Sequence, residues 1–355
     1  MAADVKNAAS AWKRFASRVL LSVATAAVVG GLVAGVTKLA GTSWAAVAGT
    51  LRQVSFLDLV VLLLVWIIGL WCHSWVLTAA LPGLTRGRAL LLNVSGSAIS
   101  DLLPFGAAAG TGVNLAMIRS WNFSATRFAS FTTISNLWNV MAKLALPAGV
   151  LTAALLSGAI QSARLVVVAQ TALALATTLG VVAVAVIADG RAASGVGRAV
   201  DRIAGVALKS VGSKRVTSLA QSLPAVRQET AAVIRQGWLQ LSVGVVSYLL
   251  LQGVLWFLCL QAVGTVPATT VVAVGFTVER VLSMLPFTPG GAGLAEAGSI
   301  AVLVSLGGDP VTMTAGVLLY RGFAFLLEIP VGGAGLLAWF WHQRRTVRRA
   351  LVIAP

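Results

Sequence analysis

The sequence predicts an all-α, polytopic membrane bundle with about six full spans and two re-entrant helical hairpins that enter from opposite sides. Three observations carry that prediction. Apolar residues make up 58% of the 355-residue chain and charged residues only 10%, against roughly half and a quarter in soluble domains. Several apolar runs reach the roughly 20 residues that a bilayer requires, whereas a transmembrane β-barrel would show short alternating strands. Two apolar segments, one in each half of the chain, are interrupted by proline and glycine.

The stronger interruption runs from Thr277 to Glu296 and holds Pro286, Pro289, Gly290, Gly291 and Gly293, together with Glu279, Arg280 and Glu296. Proline removes a backbone donor and clashes with the preceding turn, and glycine weakens any helix that contains it, so two short helices joined by an unwound turn are expected. Unpaired backbone in lipid is tolerated only where protein or a water-filled cavity covers it. A weaker copy lies between Ile99 and Arg119. Aligning Leu103-Pro104-Phe105 with Leu285-Pro286-Phe287 sets Gly106 and Gly110 in the first break and places Asn114 opposite Glu296. Paired, broken segments of this kind point to a transporter-like binding site at an inverted repeat.

Residues 1–355 form a single membrane domain built of two halves. Residues 1–18 carry Lys6, Lys13, Arg14 and Arg18 against Asp4, a cytoplasmic start. The apolar run from Val19 to Thr37 is long enough to span and lacks a small-residue cleavage site, so it reads as the first helix and not as a cleaved signal. The first half, 19–188, continues through a loop with Trp44 and Arg52, a span at Leu57–Leu81 and a hairpin at 89–118. Spans at Ala125–Leu151 and Leu165–Ala188 complete it. Only 30 residues separate Ala89 from Ile118, too few for two complete spans. Residues 189–236 are basic, with Val196, Val200, Ile203 and Ala207 at helical spacing, and read as an amphipathic cytoplasmic connector. The second half, 238–341, comprises a span at Trp238–Val263, the hairpin at 268–306 and a last span at Val311–Trp341. A basic cytoplasmic tail, 342–355, ends the sequence.

Charge position supports this layout. The net charge is +16, and 20 of the 26 Lys and Arg fall in segments read as cytoplasmic, with three in outer loops. Such a bias reports membrane orientation and not nucleic acid, and it places both termini on the cytoplasmic side of a plasma membrane.

Three bases remain at membrane depth, Lys143, Arg280 and Arg321, with four acids, Asp101, Glu279, Glu296 and Glu328. Each costs roughly 2.5–3.5 kcal/mol at a helix centre, so they are expected to pair or to line a wet cavity. Arginine holds phosphate bidentately, and a helix N-terminus after Gly291 would add backbone donors. Arg280 and Arg321 are therefore candidate ligands of a lipid phosphate, with Glu296 balancing them when the site is empty or receiving a cationic headgroup. A structural reading stands beside it: Glu279, Arg280, Arg321 and Glu328 as ion pairs that lock the bundle.

Material for catalysis is sparse. His73 and His342 are the only histidines, and Cys72 and Cys259 both sit in apolar spans, so neither a histidine triad, a metal site nor a disulfide framework is expected. No phosphate-binding Gly-x-x-x-x-Gly-Lys-[Ser/Thr] loop occurs, which argues against an ATP-driven pump, and no cofactor is implied. Asp58 and Asp309 are the only acids near a membrane face that an enzyme could use.

Leu285-Pro286-Phe287-Thr288-Pro289-Gly290-Gly291-Ala292-Gly293 with Glu296, then Leu319-Tyr320-Arg321, and Leu103-Pro104 with Gly110 upstream resemble the lysylphosphatidylglycerol synthase transmembrane region family, also called the flippase-like domain family. The resemblance implies two re-entrant hairpins and translocation of a phospholipid or polyprenyl-linked lipid between leaflets. Ala107-Ala108-Ala109 and Asn114 stand where family members often carry a Gly-Glu element and a base. No counterpart of the soluble aminoacyltransferase domain of bifunctional members is present in these residues, so aminoacyl-lipid synthesis is not expected. The leading expectation is a lipid flippase without covalent chemistry. The alternatives are a membrane-embedded transferase acting on a lipid phosphate and a non-transporting scaffold for an envelope synthase.

Overall fold

A computed structural model describes residues 40–102, 106–158, 219–265, 268–285 and 288–353, with scattered positions between 30–38 and 167–185. Among them every regular element is helical. The expected span at 19–37 lies largely outside the described residues, as do the span at 165–188 and the first part of the connector. Pro104 and Pro286 lie wholly outside them.

The helices are α1 (Trp44–Arg52), α2 (Phe56–Ala80), α3 (Arg86–Leu102), α4 (Gly106–Ser120), α5 (Ala125–Leu156), α6 (Leu219–Ala262), α7 (Thr269–Leu282), α8 (Leu294–Ser305), α9 (Pro310–Arg321) and α10 (Glu328–Ile353). Three described stretches are long and apolar enough to cross a membrane: Phe56–Ala80, Pro224–Ala262 and Pro310–Arg345. The expected span at Ala125–Leu151 is helical over 32 residues. It is not one of these three, because Thr132, Thr133, Ser135, Asn136, Asn139 and Lys143 dilute its apolar character.

On α2, Leu62, Trp66, Leu70 and Leu77 are buried at helical spacing, while Phe56, Leu64, Ile68 and Trp71 are exposed. An exposed face this apolar on a helix of 25 residues is the surface expected against lipid and not against water.

One boundary differs from expectation. The stretch from 219 to 236, expected as part of a separate connector, continues without a break into the helix expected at Trp238–Val263, and α6 is 44 residues long. Its Pro224 stands near the start, where few ring clashes and few lost hydrogen bonds arise, so the helix tolerates it.

The contacts group into two compact units, Met1–Trp66 with Asn93–Asn114 and Gly253–Pro355, and Ile67–Leu92 with Leu115–Gln252. The second unit holds a core of Val76, Leu81, Leu92, Ile118, Ile134 and Leu241. Its polar ties are short and side-chain based. Ser130 and Thr230 hydroxyls meet at 3.0 Å, the Trp138 indole donates to Ser242 at 3.2 Å, and Arg127 pairs with Glu229 at 3.4 Å. Arg86 lies over Trp71 and Trp75, and Arg88 over Trp121, an arrangement of bases on amphipathic rings that suits a headgroup layer.

The first unit contains Asn93–Asn114 of the first interrupted segment and the whole of the second. In the first, a Cβ added at Gly96 would meet the Asn114 side chain, and one added at Gly106 or Gly110 would strike Ser100. Gly96 thus faces Asn114 while Ser100, further along α3, faces the earlier Gly106 and Gly110, so the two helices run antiparallel with near backbone contact. Small residues permit that approach. In the second, Gly275 lies against Leu303 and Gly298 against Leu282, which makes α7 and α8 antiparallel as well.

Closest of all is Gly332 on α10, where an added Cβ would run into the Val94 carbonyl and stand 2.6 Å from Ala98 Cβ. Gly332→Ala is expected to cost about 1–3 kcal/mol through overpacking against backbone that cannot swing away. Thermal unfolding in detergent checks this, and an unchanged midpoint would refute it. The same substitution at Gly333, with nothing within 4 Å, serves as the control and gains slightly from helix propensity.

Candidate functional site

The broken segment of the second hairpin is built by three consecutive devices. Helix α7 ends with Ser283 N–H bonded to the Glu279 carbonyl at 2.9 Å. A short 3-10 turn, Pro289–Gly291, comes next, with φ of 56° at Gly290 and 71° at Gly291, and Gly293 has φ of 84°. These left-handed values are cheap only for glycine. Helix α8 then starts at Leu294, and the Gly293 N–H donates to Glu296 Oε2 at 2.6 Å. The backbone donor expected to await a phosphate is therefore already satisfied by the helix's own acid.

Glu296 is also bonded from the other side. Its Oε1 accepts from Arg321 Nε at 2.6 Å, while Arg321 Nη1 lies 3.4 Å from Glu279 Oε1 and Nη2 donates to the Gly290 carbonyl at 3.0 Å. All three nitrogens of one guanidinium thus tie α9 to α7, to the turn and to α8. The rigid fork of arginine makes this possible where lysine would supply one point charge. Arg280 pairs through Nε with Glu279 Oε2 and donates from Nη2 to the Tyr320 hydroxyl at 2.7 Å.

Glu279, Arg280, Glu296 and Arg321 are all buried, Glu279 completely. Aromatic rings wall the cluster. Trp256, Phe276 and Tyr320 form a group with ring centroids 5.1–6.5 Å apart, Arg280 lies over Phe276 and Tyr320, and Arg321 lies 4.9 Å over Phe325. The Trp256 indole is held by the Val272 carbonyl at 3.1 Å. Just after Arg321, residues Gly322–Leu326 form a π-turn closed by Leu327 N–H on the Gly322 carbonyl at 2.8 Å. Such turns recur inside helices next to functional sites.

Two more acids border the cluster. Glu328, buried at the start of α10, has Asp101, Arg280 and Arg321 as electrostatic neighbours. Asp101, on α3, lies over the turn, with its Oδ1 2.7 Å from where a Cβ on Gly290 would stand. The structure thus brings together six of the residues singled out in the sequence: Asp101, Glu279, Arg280, Glu296, Arg321 and Glu328.

Asn114 does not join them. Its side chain lies on Gly96 within the first hairpin, with Oδ1 buried and unpartnered among the described residues. Lys143 belongs to α5 in the other compact unit. Asp58 and Asp309 both stand at helix starts. Asp58 Oδ2 accepts from Ser55 Oγ at 2.7 Å, and Asp309 Oδ2 accepts from Thr312 N–H at 2.9 Å as the cap of α9.

Sequence reading missed Tyr320, Phe276 and Phe325 as parts of the site. Tyr320 carried a signal, since it adjoins Arg321 and is one of only two tyrosines in the chain, and a buried phenol needs a partner. The others carried none.

No match was found among curated proteins. The family model for the lysylphosphatidylglycerol synthase TM region matches residues 19–332, which include both interrupted segments and all six clustered charges. The chain is a multi-pass membrane protein that belongs to the lysylphosphatidylglycerol synthase TM region family, whose membrane domain is associated with lipid flippase and synthase function.

Proposed function

We propose that the protein moves a phospholipid or a polyprenyl-phosphate-linked precursor between the leaflets of the plasma membrane, without covalent chemistry. One observation carries the reading: Arg321, buried at a helix break, is held by Glu296 and by the Gly290 carbonyl. A carboxylate and a lipid phosphate present similar oxygen pairs to a guanidinium. Glu296 then acts as an internal stand-in anion, and a headgroup phosphate that displaces it frees the α8 N-terminus and the turn together. Arg280, with Tyr320, supplies the second cation.

The two hairpins enter the membrane from opposite sides as an inverted repeat, with both termini cytoplasmic, in the manner of carriers whose broken helices meet near the midplane. Asn114 and Lys143 are subsidiary candidates for headgroup contact. An envelope synthase that makes or consumes the lipid is a reasonable partner.

The test is reconstitution in liposomes with a labelled phospholipid. Leaflet exchange above protein-free vesicles, with the lipid chemically unchanged, is the expected result. No exchange, or a converted lipid, would reject the reading in favour of a scaffold or a transferase. The stand-in role has its own check. Glu296→Gln removes the competing charge, so binding of an anionic phospholipid to the purified protein is expected to tighten about tenfold, equivalent to ~1.4 kcal/mol. Weaker or unchanged binding would show that Glu296 does not compete with substrate.

A further inference from the structure

A cavity of about 220 Å³ opens between the start of α2 and the end of α6. The membrane-length stretch Phe56–Ala80 begins there and the stretch Pro224–Ala262 finishes there, so the cavity lies at the level of span ends, the headgroup layer. Val61, Leu62 and Leu258 wall it, and Asp58, Gln261 and Gly264 give it polar atoms. All of these belong to the first compact unit, and none is part of the charge cluster around Arg321.

The lining favours a cation. Asp58 Oδ2 accepts from the Ser55 hydroxyl at 2.7 Å, and no guanidinium or ammonium pairs with this carboxylate among the described residues. The positive end of α2 and the negative end of α6 roughly cancel, so the Asp58 charge stands as the net field of the cavity. No base in the last turn of α6 offsets it. The Gly264 N–H, at φ of 83°, closes on the Gln261 carbonyl at 2.9 Å. That donor is spent within the turn, while the Gln261 side chain is exposed.

The lining also selects among cations. Calcium takes six to eight oxygen ligands, usually from several acids, and no group of three His, Cys, Asp or Glu gathers among the described residues. Quaternary ammonium is held by aromatic faces, and no ring is in the lining. A primary ammonium instead brings N–H donors that suit a carboxylate and an amide oxygen. The volume is below the roughly 300–1,000 Å³ of drug-sized sites, which fits a headgroup and not a whole lipid. Phe56 and Leu57, 81% and 71% exposed at the start of α2, offer apolar surface to the acyl chains.

We infer that this cavity binds the primary ammonium of a phosphatidylethanolamine-type headgroup, with Asp58 as counter-ion and Gln261 as second acceptor. It is a site for a resident lipid, and it stands whether or not the protein moves lipid between leaflets.

The test is native mass spectrometry of the full-length protein in detergent, offered phosphatidylethanolamine, phosphatidylcholine and phosphatidylglycerol with matched chains at equal concentration. Phosphatidylethanolamine is expected to be retained about tenfold better than the other two, the worth of a hydrogen bond to a charged group. Asp58→Asn is expected to abolish that preference. Asparagine keeps an oxygen for Ser55, so the variant should fold. If it does not, Gln261→Leu, an exposed change expected to weaken the preference, takes its place. Equal retention of all three lipids, or a preference unchanged by the substitution, overturns the inference. Phosphatidylcholine retained as well as phosphatidylethanolamine overturns the primary-ammonium assignment. Displacement of the lipid by free ethanolamine at the same concentration would assign the cavity to a soluble amine and overturn the lipid assignment.

Discussion

Replacement of Arg321 by methionine is expected to cost about 3–5 kcal/mol of stability, the range for removing one partner of a buried ion pair. Methionine fills the space of the stem, so packing against Phe325 is largely kept and the loss is electrostatic. Glu296 would retain only the Gly293 N–H, and Glu279 would retain only Arg280 of its two cations. The double variant Arg321→Met, Glu296→Gln is expected to recover more than half of the loss, because it no longer strands a carboxylate. Denaturant or thermal unfolding in detergent measures both. Equal unfolding midpoints for the single and double variants would mean that Arg321 stabilises the fold through packing and the Gly290 carbonyl, not through its pair with Glu296. Arg321→Lys separates stability from function: it keeps the charge and is expected to retain more stability than methionine, yet it lacks the fork and should slow lipid exchange.

The charges and breaks that build this site were legible because lipid makes both expensive. A proline-glycine run inside an apolar segment has few foldable interpretations, and Glu279, Arg280, Glu296 and Arg321 stood out at membrane depth for the same reason. Their pairing was not legible. Nothing in the spacing says that Arg321 takes Glu296 and Glu279 while Arg280 takes Glu279 and Tyr320, since 25 and 42 residues separate Arg321 from its two acids. The early start of α6 was also hidden. Arg227, Glu229 and Arg235 give that stretch the composition of a surface connector, but they occupy an unbroken helix whose Arg127–Glu229 pair and Ser130–Thr230 contact fix it to α5. Close approach of backbones escaped detection for a different reason. A glycine such as Gly332 looks the same in sequence whether a carbonyl lies against it or open space does.

Gly290→Ala carries the second large expected effect, and it acts on the turn rather than on the charges. Its φ of 56° places an alanine in the left-handed region at a cost of roughly 1–2 kcal/mol. The new methyl group would also stand 2.6 Å from the Phe325 ring and 2.7 Å from Asp101 Oδ1, which adds about 1–3 kcal/mol of overpacking. Phe325 is the ring beneath Arg321, and the Gly290 carbonyl is the acceptor for Arg321 Nη2. The strain is therefore delivered to the guanidinium from two directions. Lipid exchange is expected to fall by at least tenfold while the protein remains folded, with a lowered unfolding midpoint. Phe325→Leu in the same chain removes the ring edge but not the backbone strain, so it should restore part of the stability. If Gly290→Ala left both exchange and unfolding unchanged, the turn would be free to relax without disturbing Arg321, and the break would then serve as a spacer between α7 and α8 instead of the hinge on which release of Glu296 depends.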